Sequence, residues 1–126
     1  MSVVLDTSAI LAALWDEPGG KMVAEHMPNA EISAVNLAEL YSKLLDRGAE
    51  MNQADAVIDS LGLRVISFDG AQGRDAGALR QIGRAVGLSL GDQACLALAK
   101  SQGARVYTAD RAWARLDSKL DIVIIR

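Results

Sequence analysis

A chain of 126 residues, 51% of them hydrophobic, is long enough to bury one core without staples, so residues 1–126 are expected to form a single domain. That apolar content excludes disorder, and a lone cysteine, Cys95, excludes an internal disulfide and makes the cytoplasm the expected compartment. The net charge of −3 conceals an asymmetry, −7 over residues 1–63 and +4 over 64–126, which hints at an anionic partner for the second half and excludes a strongly basic nucleic-acid coat.

Val3-Val4-Leu5 reads as a short buried strand ending at Asp6. Thr7–Leu14 follows as a helix, broken at Pro18-Gly19-Gly20. The apolar stretch Ala9–Trp15 is too short to span a bilayer, so no membrane association is expected. The first basic residue is Lys21, so the start lacks the charged region of a secretory signal. Lys21–His26 is a short helical piece, and Glu31-Ile32 a strand stopping at Ser33. Ser33 can cap the next helix, where Leu37, Leu40, Tyr41, Leu44 and Leu45 form one apolar face before Gly48 ends it.

Asn52–Leu61 is a further helix, and Gly62 precedes the strand Arg64–Phe68. Residues 70–91 hold six of the eleven glycines, yet Ala76, Leu79, Ile82 and Val86 keep a helical spacing, which predicts an intrinsically weak helix. Gly91, Ala94, Cys95, Leu98 and Ala99 mark the apolar face of the next helix, with Cys95 read as an inert core thiol. Arg105–Thr108 is a strand leading to Asp110, and Ile122–Ile125 a final apolar strand. Strands alternating with helices predict an α/β fold, a three-layer α/β/α sandwich around a parallel sheet.

Four carboxylates carry the functional reading. Asp6 and Asp110 each follow a strand and could simply cap helices. Asp92 lies three residues after Ser89, as in a capping box, and Glu39 has Lys43 at i+4, as in a solvent-exposed pair. Together they read differently, because in an open parallel sheet all four reach the carboxyl edge where ligands bind. Crowded there, each close pair costs on the order of 4 kcal/mol at an effective dielectric near 20 unless a cation joins them. All-oxygen ligands select a hard ion, Mg²⁺ or Mn²⁺, which activates water and offsets charge on a phosphodiester.

Asn36 shares a face with Glu39 and is either an orienting group or solvated. Lys43 and Arg47 continue that stripe and are candidates for contacts with a phosphodiester backbone, as are Arg74, Arg80, Arg84, Arg111 and Arg115. His26, the only histidine, reads as a surface residue. Aromatic residues are only 4% of the chain, so base stacking is not the main source of affinity for any nucleic acid.

The segments VVLDTSA, SAVNLAEL, LSLGDQACLALA and VYTADRAW, in that order, resemble the PIN-domain ribonucleases, and most closely the VapC-type toxins of toxin–antitoxin pairs. The resemblance implies a PIN-like fold and Mg²⁺-dependent RNA cleavage restrained by an antitoxin over the active site. It places Asp6, Glu39, Asp92 and Asp110 at the family's acidic positions, and Thr108 as the hydroxyl of its T-x-D motif. The family commonly carries Phe shortly after that motif, where this chain has Trp113. A negative crevice is expected to attract Arg or Lys from a cognate antitoxin, and the resemblance implies a homodimer. The rival is a phospho-accepting receiver domain, with Asp69 after the strand RVISF; it lacks an acidic pair after the first strand and a lysine after the last.

Overall fold

The computed structural model describes residues 2–126. Five strands, β1 (Val3–Leu5), β2 (Glu31–Ser33), β3 (Arg64–Ile66), β4 (Arg105–Thr108) and β5 (Ile122–Ile124), form one sheet of order β3-β2-β1-β4-β5. Every neighbouring pair is parallel. The chain starts in the middle of the sheet, builds outward through β2 and β3, and returns to the other side of β1 with β4. The strand order therefore reverses between β1 and β4, and the crevice beyond their carboxyl ends is where such sheets bind ligands.

Seven helices cover the sheet: α1 (Thr7–Leu14), α2 (Gly20–His26), α3 (Ala34–Asp46), α4 (Met51–Ser60), α5 (Gly70–Ala78), α6 (Arg80–Gly83) and α7 (Leu90–Gln102). Alternation along each strand divides the core in two. Leu5 and Tyr107 face α1 to α4, where Ile10, Val23, Leu40 and Ile58 are buried. Val4 and Val106 face the other way, onto α5 and α7, with Leu79, Leu96, Leu98 and Trp113. This is the expected three-layer sandwich. The central strand is apolar throughout because both its faces are covered. None of the described helices is long and apolar enough to cross a membrane.

Three expectations change. The weak helix over 70–91 is not continuous: it divides into α5, the single turn α6 and a 3₁₀ turn at Arg84–Val86. It stops at Gly87, whose φ of 71° is a left-handed conformation that glycine adopts without steric cost. The glycines that lowered helix propensity there are the physical reason. His26 is not a free surface residue either. Its ring stacks on Tyr107 with centroids 4.9 Å apart, and its Nε2 lies 3.1 Å from the Tyr107 hydroxyl. The predicted strand Arg64–Phe68 pairs only as far as Ile66, at the sheet edge.

Candidate functional site

Asp6 occupies the N-cap position of α1, with an extended backbone, yet its side chain caps nothing. The carboxylate is instead drawn under β4. Its Oδ2 accepts hydrogen bonds from the hydroxyls of Ser8 at 2.6 Å and Thr108 at 2.8 Å. Both hydroxyls also accept: Ala109 N–H donates to Ser8 Oγ at 3.0 Å and Asp110 N–H to Thr108 Oγ1 at 3.1 Å. Each hydroxyl thus has its proton committed to Asp6. The backbone of β4 and the start of α1 are stitched together around one carboxylate.

Asp6 is 4% exposed, and its pKa is raised from 3.8 to about 6. Burial is the largest cause; the Ser8 and Thr108 hydroxyls oppose it, and the charges of Asp92 and Glu39 add to it. Asp92 is likewise raised, again chiefly by burial, with Asp110 and Glu39 contributing. The four predicted carboxylates therefore lie within electrostatic reach of one another at one rim of the sheet. Cys95 is fully buried on the α7 face beneath them, and desolvation holds its thiol protonated, as expected of a core cysteine.

The ordinary structural explanations hold for part of each residue. Asp92 does close a capping box with Ser89: Ser89 N–H donates to Asp92 Oδ2 at 2.9 Å and Asp92 N–H to Ser89 Oγ at 3.1 Å. Asp110 caps the 3₁₀ turn Arg111–Arg115 through Oδ1, which accepts from Ala112 N–H at 2.9 Å. Glu39 forms no ion pair with Lys43 among the described residues. It turns inward, where its Oε1 accepts from Asn36 Nδ2 at 2.8 Å and Thr7 Oγ1 at 3.1 Å.

A common pattern emerges. In each of the four carboxylates one oxygen is held by a protein donor. The other, Asp6 Oδ1, Glu39 Oε2, Asp92 Oδ1 or Asp110 Oδ2, has no donor among the described residues. Such oxygens suit a hard divalent cation, and the donor set contains no sulfur or imidazole that would favour a softer one. The residues fit Mg²⁺ or Mn²⁺ in their chemistry. As placed, no three acidic, cysteine or histidine side chains among the described residues converge closely enough to enclose an ion. Binding would require the free oxygens to draw together.

The remaining predicted residues separate. Asn36 is fully buried beside Glu39, so it is an orienting group and not a solvated one. Lys43 is exposed on α3. Arg47, eight residues beyond Glu39 and about 12 Å further along the helix axis, does not stand at the crevice. Its guanidinium lies over the Trp15 ring at 3.8 Å, at the opposite end of α1 from Asp6. Asp69 is the N-cap of α5, accepting from Gln72 N–H at 2.9 Å. Thr7, Ser8 and Gly91 are site residues that the sequence reading did not single out. The hydroxyls directly after Asp6 were a signal for the first two; nothing local marks Gly91.

Comparison with known proteins agrees with this fold. The family model of the PIN domain matches residues 3–119. No curated protein matches the chain in sequence. Among solved structures, VapBC-5 from Mycobacterium tuberculosis is 26% identical with a TM-score of 0.65, covering 99% of this chain and 97% of that one. DNA-bound VapBC from Salmonella typhimurium is 21% identical with a TM-score of 0.74, covering 98% and 97%. VapC20 from Mycobacterium tuberculosis, a sarcin-ricin loop cleaving toxin, is 21% identical with a TM-score of 0.72, covering 90% and 93%. With 117 of its 126 residues spanned by the family model, this chain belongs to the PIN domain family.

Proposed function

We propose that this protein is a Mg²⁺- or Mn²⁺-dependent endoribonuclease and the toxin of a toxin–antitoxin pair, acting in the cytoplasm as a single domain. The observation that carries the reading is the set of four carboxylates at the sheet's switch point, each with one oxygen anchored and one free. Asp6, Glu39, Asp92 and Asp110 would hold the ion. When bound, it supplies Lewis-acid activation of the hydrolytic water and offsets charge on the phosphodiester. The protein's own part is positional. Ser8 and Thr108 fix the Asp6 carboxylate, the Ser89 cap fixes Asp92, and Asn36 with Thr7 fixes Glu39. Lys43, exposed one turn beyond Glu39, is placed to meet the RNA backbone.

The solved structures that share the fold include a toxin–antitoxin complex and a sarcin-ricin loop cleaving toxin. They support a cognate antitoxin. The negative crevice calls for Arg or Lys of that partner among the four acids, and the resemblance to VapC-type toxins is the ground for proposing a homodimer as the working assembly. The deciding experiment is incubation of the purified protein with tRNA and rRNA, with Mg²⁺ and then with EDTA. Cleavage that needs the ion and leaves 5′-phosphate ends is expected, because no histidine pair is present to activate the ribose 2′-hydroxyl. Cleavage that persists in EDTA, or ends bearing a 2′,3′-cyclic phosphate, overturns the mechanism.

A further inference from the structure

Gly91 lies in the first turn of α7, immediately before Asp92, where helix propensity alone would favour almost any other residue. The space its missing side chain leaves is filled. A Cβ built there would overlap the whole Glu39 carboxylate, with Oε2 the nearest atom and Cδ and Oε1 both at 2.5 Å. The same glycine holds Glu39 from a second direction. Its carbonyl oxygen accepts from Asn36 Nδ2 at 3.0 Å, and that amide nitrogen also donates to Glu39 Oε1 at 2.8 Å. Thr7 completes the arrangement, its hydroxyl lying 3.2 Å from the Asn36 main-chain carbonyl oxygen and 3.1 Å from Glu39 Oε1.

Asn36 is fully buried, both protons of its amide nitrogen have acceptors, and its Oδ1 is buried with no partner among the described residues. Leaving a buried carbonyl unpaired is costly. The side chain is therefore held in this orientation by what its nitrogen does, at the expense of its oxygen.

We propose that Gly91 and Asn36 are positioning residues that clamp the Glu39 carboxylate, with Gly91 as its floor and Asn36 as a bridge from α3 to the start of α7. The clamp couples two of the four acids: Glu39 lies against Gly91, and Asp92 is the next residue of α7. It leaves Glu39 Oε2, the carboxylate atom nearest the Gly91 Cβ position, as the free acceptor and fixes it against the first turn of α7. This rests on the metal-site reading above and adds to it the residues that set the ligand geometry.

The Gly91→Ala variant makes an unusually clean test. Alanine is the better helix former, and the nearest atoms it meets are the far end of a flexible Glu39 side chain, so the fold should be kept or strengthened. Asn36→Ala removes the bridge from the other side, and the double variants with Glu39→Gln close a cycle. Two readouts separate the clamp from the metal reading. In the metal-free protein, the Glu39 side-chain carboxyl signal in ¹³C NMR should move in both single variants. By calorimetric titration with Mn²⁺, each should lose about ten- to a hundredfold in affinity, the range found for residues that orient metal ligands. Neither change should weaken Mn²⁺ further once Glu39 is already Gln. An unmoved Glu39 signal overturns the clamp. A moved signal with unaltered Mn²⁺ affinity, or full additivity with Glu39→Gln, overturns its role in ligand positioning. Absence of Mn²⁺ binding by the native chain overturns the metal reading itself, whatever the NMR signal does.

Discussion

The carboxylate of Asp6 is under two opposed influences, and their balance has a measurable consequence. Burial favours the neutral acid, while the Ser8 and Thr108 hydroxyls favour the anion. Burial prevails and the pKa rises from 3.8 to about 6. A carboxylate whose folded pKa lies above its unfolded value opposes folding: the penalty is absent well below pH 4, grows as pH rises towards 6, and is fully present above that. From those two pKa values it amounts to about 3 kcal/mol at neutral pH. Asp6→Asn keeps an oxygen for both hydroxyls and removes the charge. It should therefore stabilise the metal-free protein by up to about 3 kcal/mol at pH 7, with the advantage vanishing near pH 3.5 and activity abolished. Mg²⁺ at a hundredfold excess over its dissociation constant should stabilise the native chain by about 2.7 kcal/mol and the variant by less. Urea unfolding at several pH values, with and without Mg²⁺, checks both. A variant no more stable than the native chain at pH 7 would mean that the buried charge is compensated by groups other than the hydroxyls.

Among the elements, α7 carries the longest buried run of the core and one of the four acids. From Gly91 to Ala99 every residue except Asp92 is buried, because the helix lies across β1, β2 and β4 and is flanked by α3 and α5. One end of the helix is thus embedded in packing, while its N-terminal turn, fixed by the Ser89 capping box, presents Asp92 to the crevice. Rigidity of the helix is what makes the position of Asp92 reproducible. Leu96 is fully buried in the core between α7 and the sheet. Leu96→Ala should cost about 2–5 kcal/mol, the range for a leucine truncated in a close-packed interior. Chemical denaturation measures it. A loss under 1 kcal/mol would mean that the surrounding core collapses into the vacated space. The segment after α5 behaves oppositely: interrupted by glycines, it changes from α-helix to 3₁₀ turn within a few residues and brings no acid to the site.

At the scale of the whole molecule, the uneven charge of the sequence acquires a location. Asp6 and Glu39 come from the acidic half, Asp92 and Asp110 from the basic half, and the sheet order brings both pairs to one edge. The crevice is therefore locally negative although the second half of the chain is positive overall. On the proposed function, a partner that silences the enzyme meets this crevice with cations, and the contact should be sensitive to ionic strength. Co-expression with the product of the neighbouring gene, followed by affinity capture, should recover a second chain. Substitution of that chain's crevice-facing Arg or Lys should restore RNA cleavage, and raised salt should weaken its hold. Capture of the enzyme alone, fully active without any inhibitor, would count against the toxin reading while leaving the nuclease reading intact.

The linear sequence determined the order of strands and helices along the chain, the division of the core into two faces and the placement of three acids after strands or at helix starts, with Glu39 within a helix. These follow from short-range rules: apolar runs, helical spacing and the hydroxyl or acidic residues that begin helices. Thr7–Leu14 and Arg105–Thr108 fall where their patterns put them because pattern and packing agree there. Tertiary structure decided the rest. Asp6 stands at an N-cap, and only the arrival of β4 beside β1 turns its carboxylate towards Ser8 and Thr108. Glu39 and Lys43 have the spacing of a surface pair, but the approach of α7 buries Asn36 and draws Glu39 inward over Gly91. Arg47 shares the Glu39 stripe on paper and is claimed by Trp15 in space. Spacing along a helix records which residues share a face. Which neighbour that face meets depends on contacts between residues dozens of positions apart, and no local pattern encodes those.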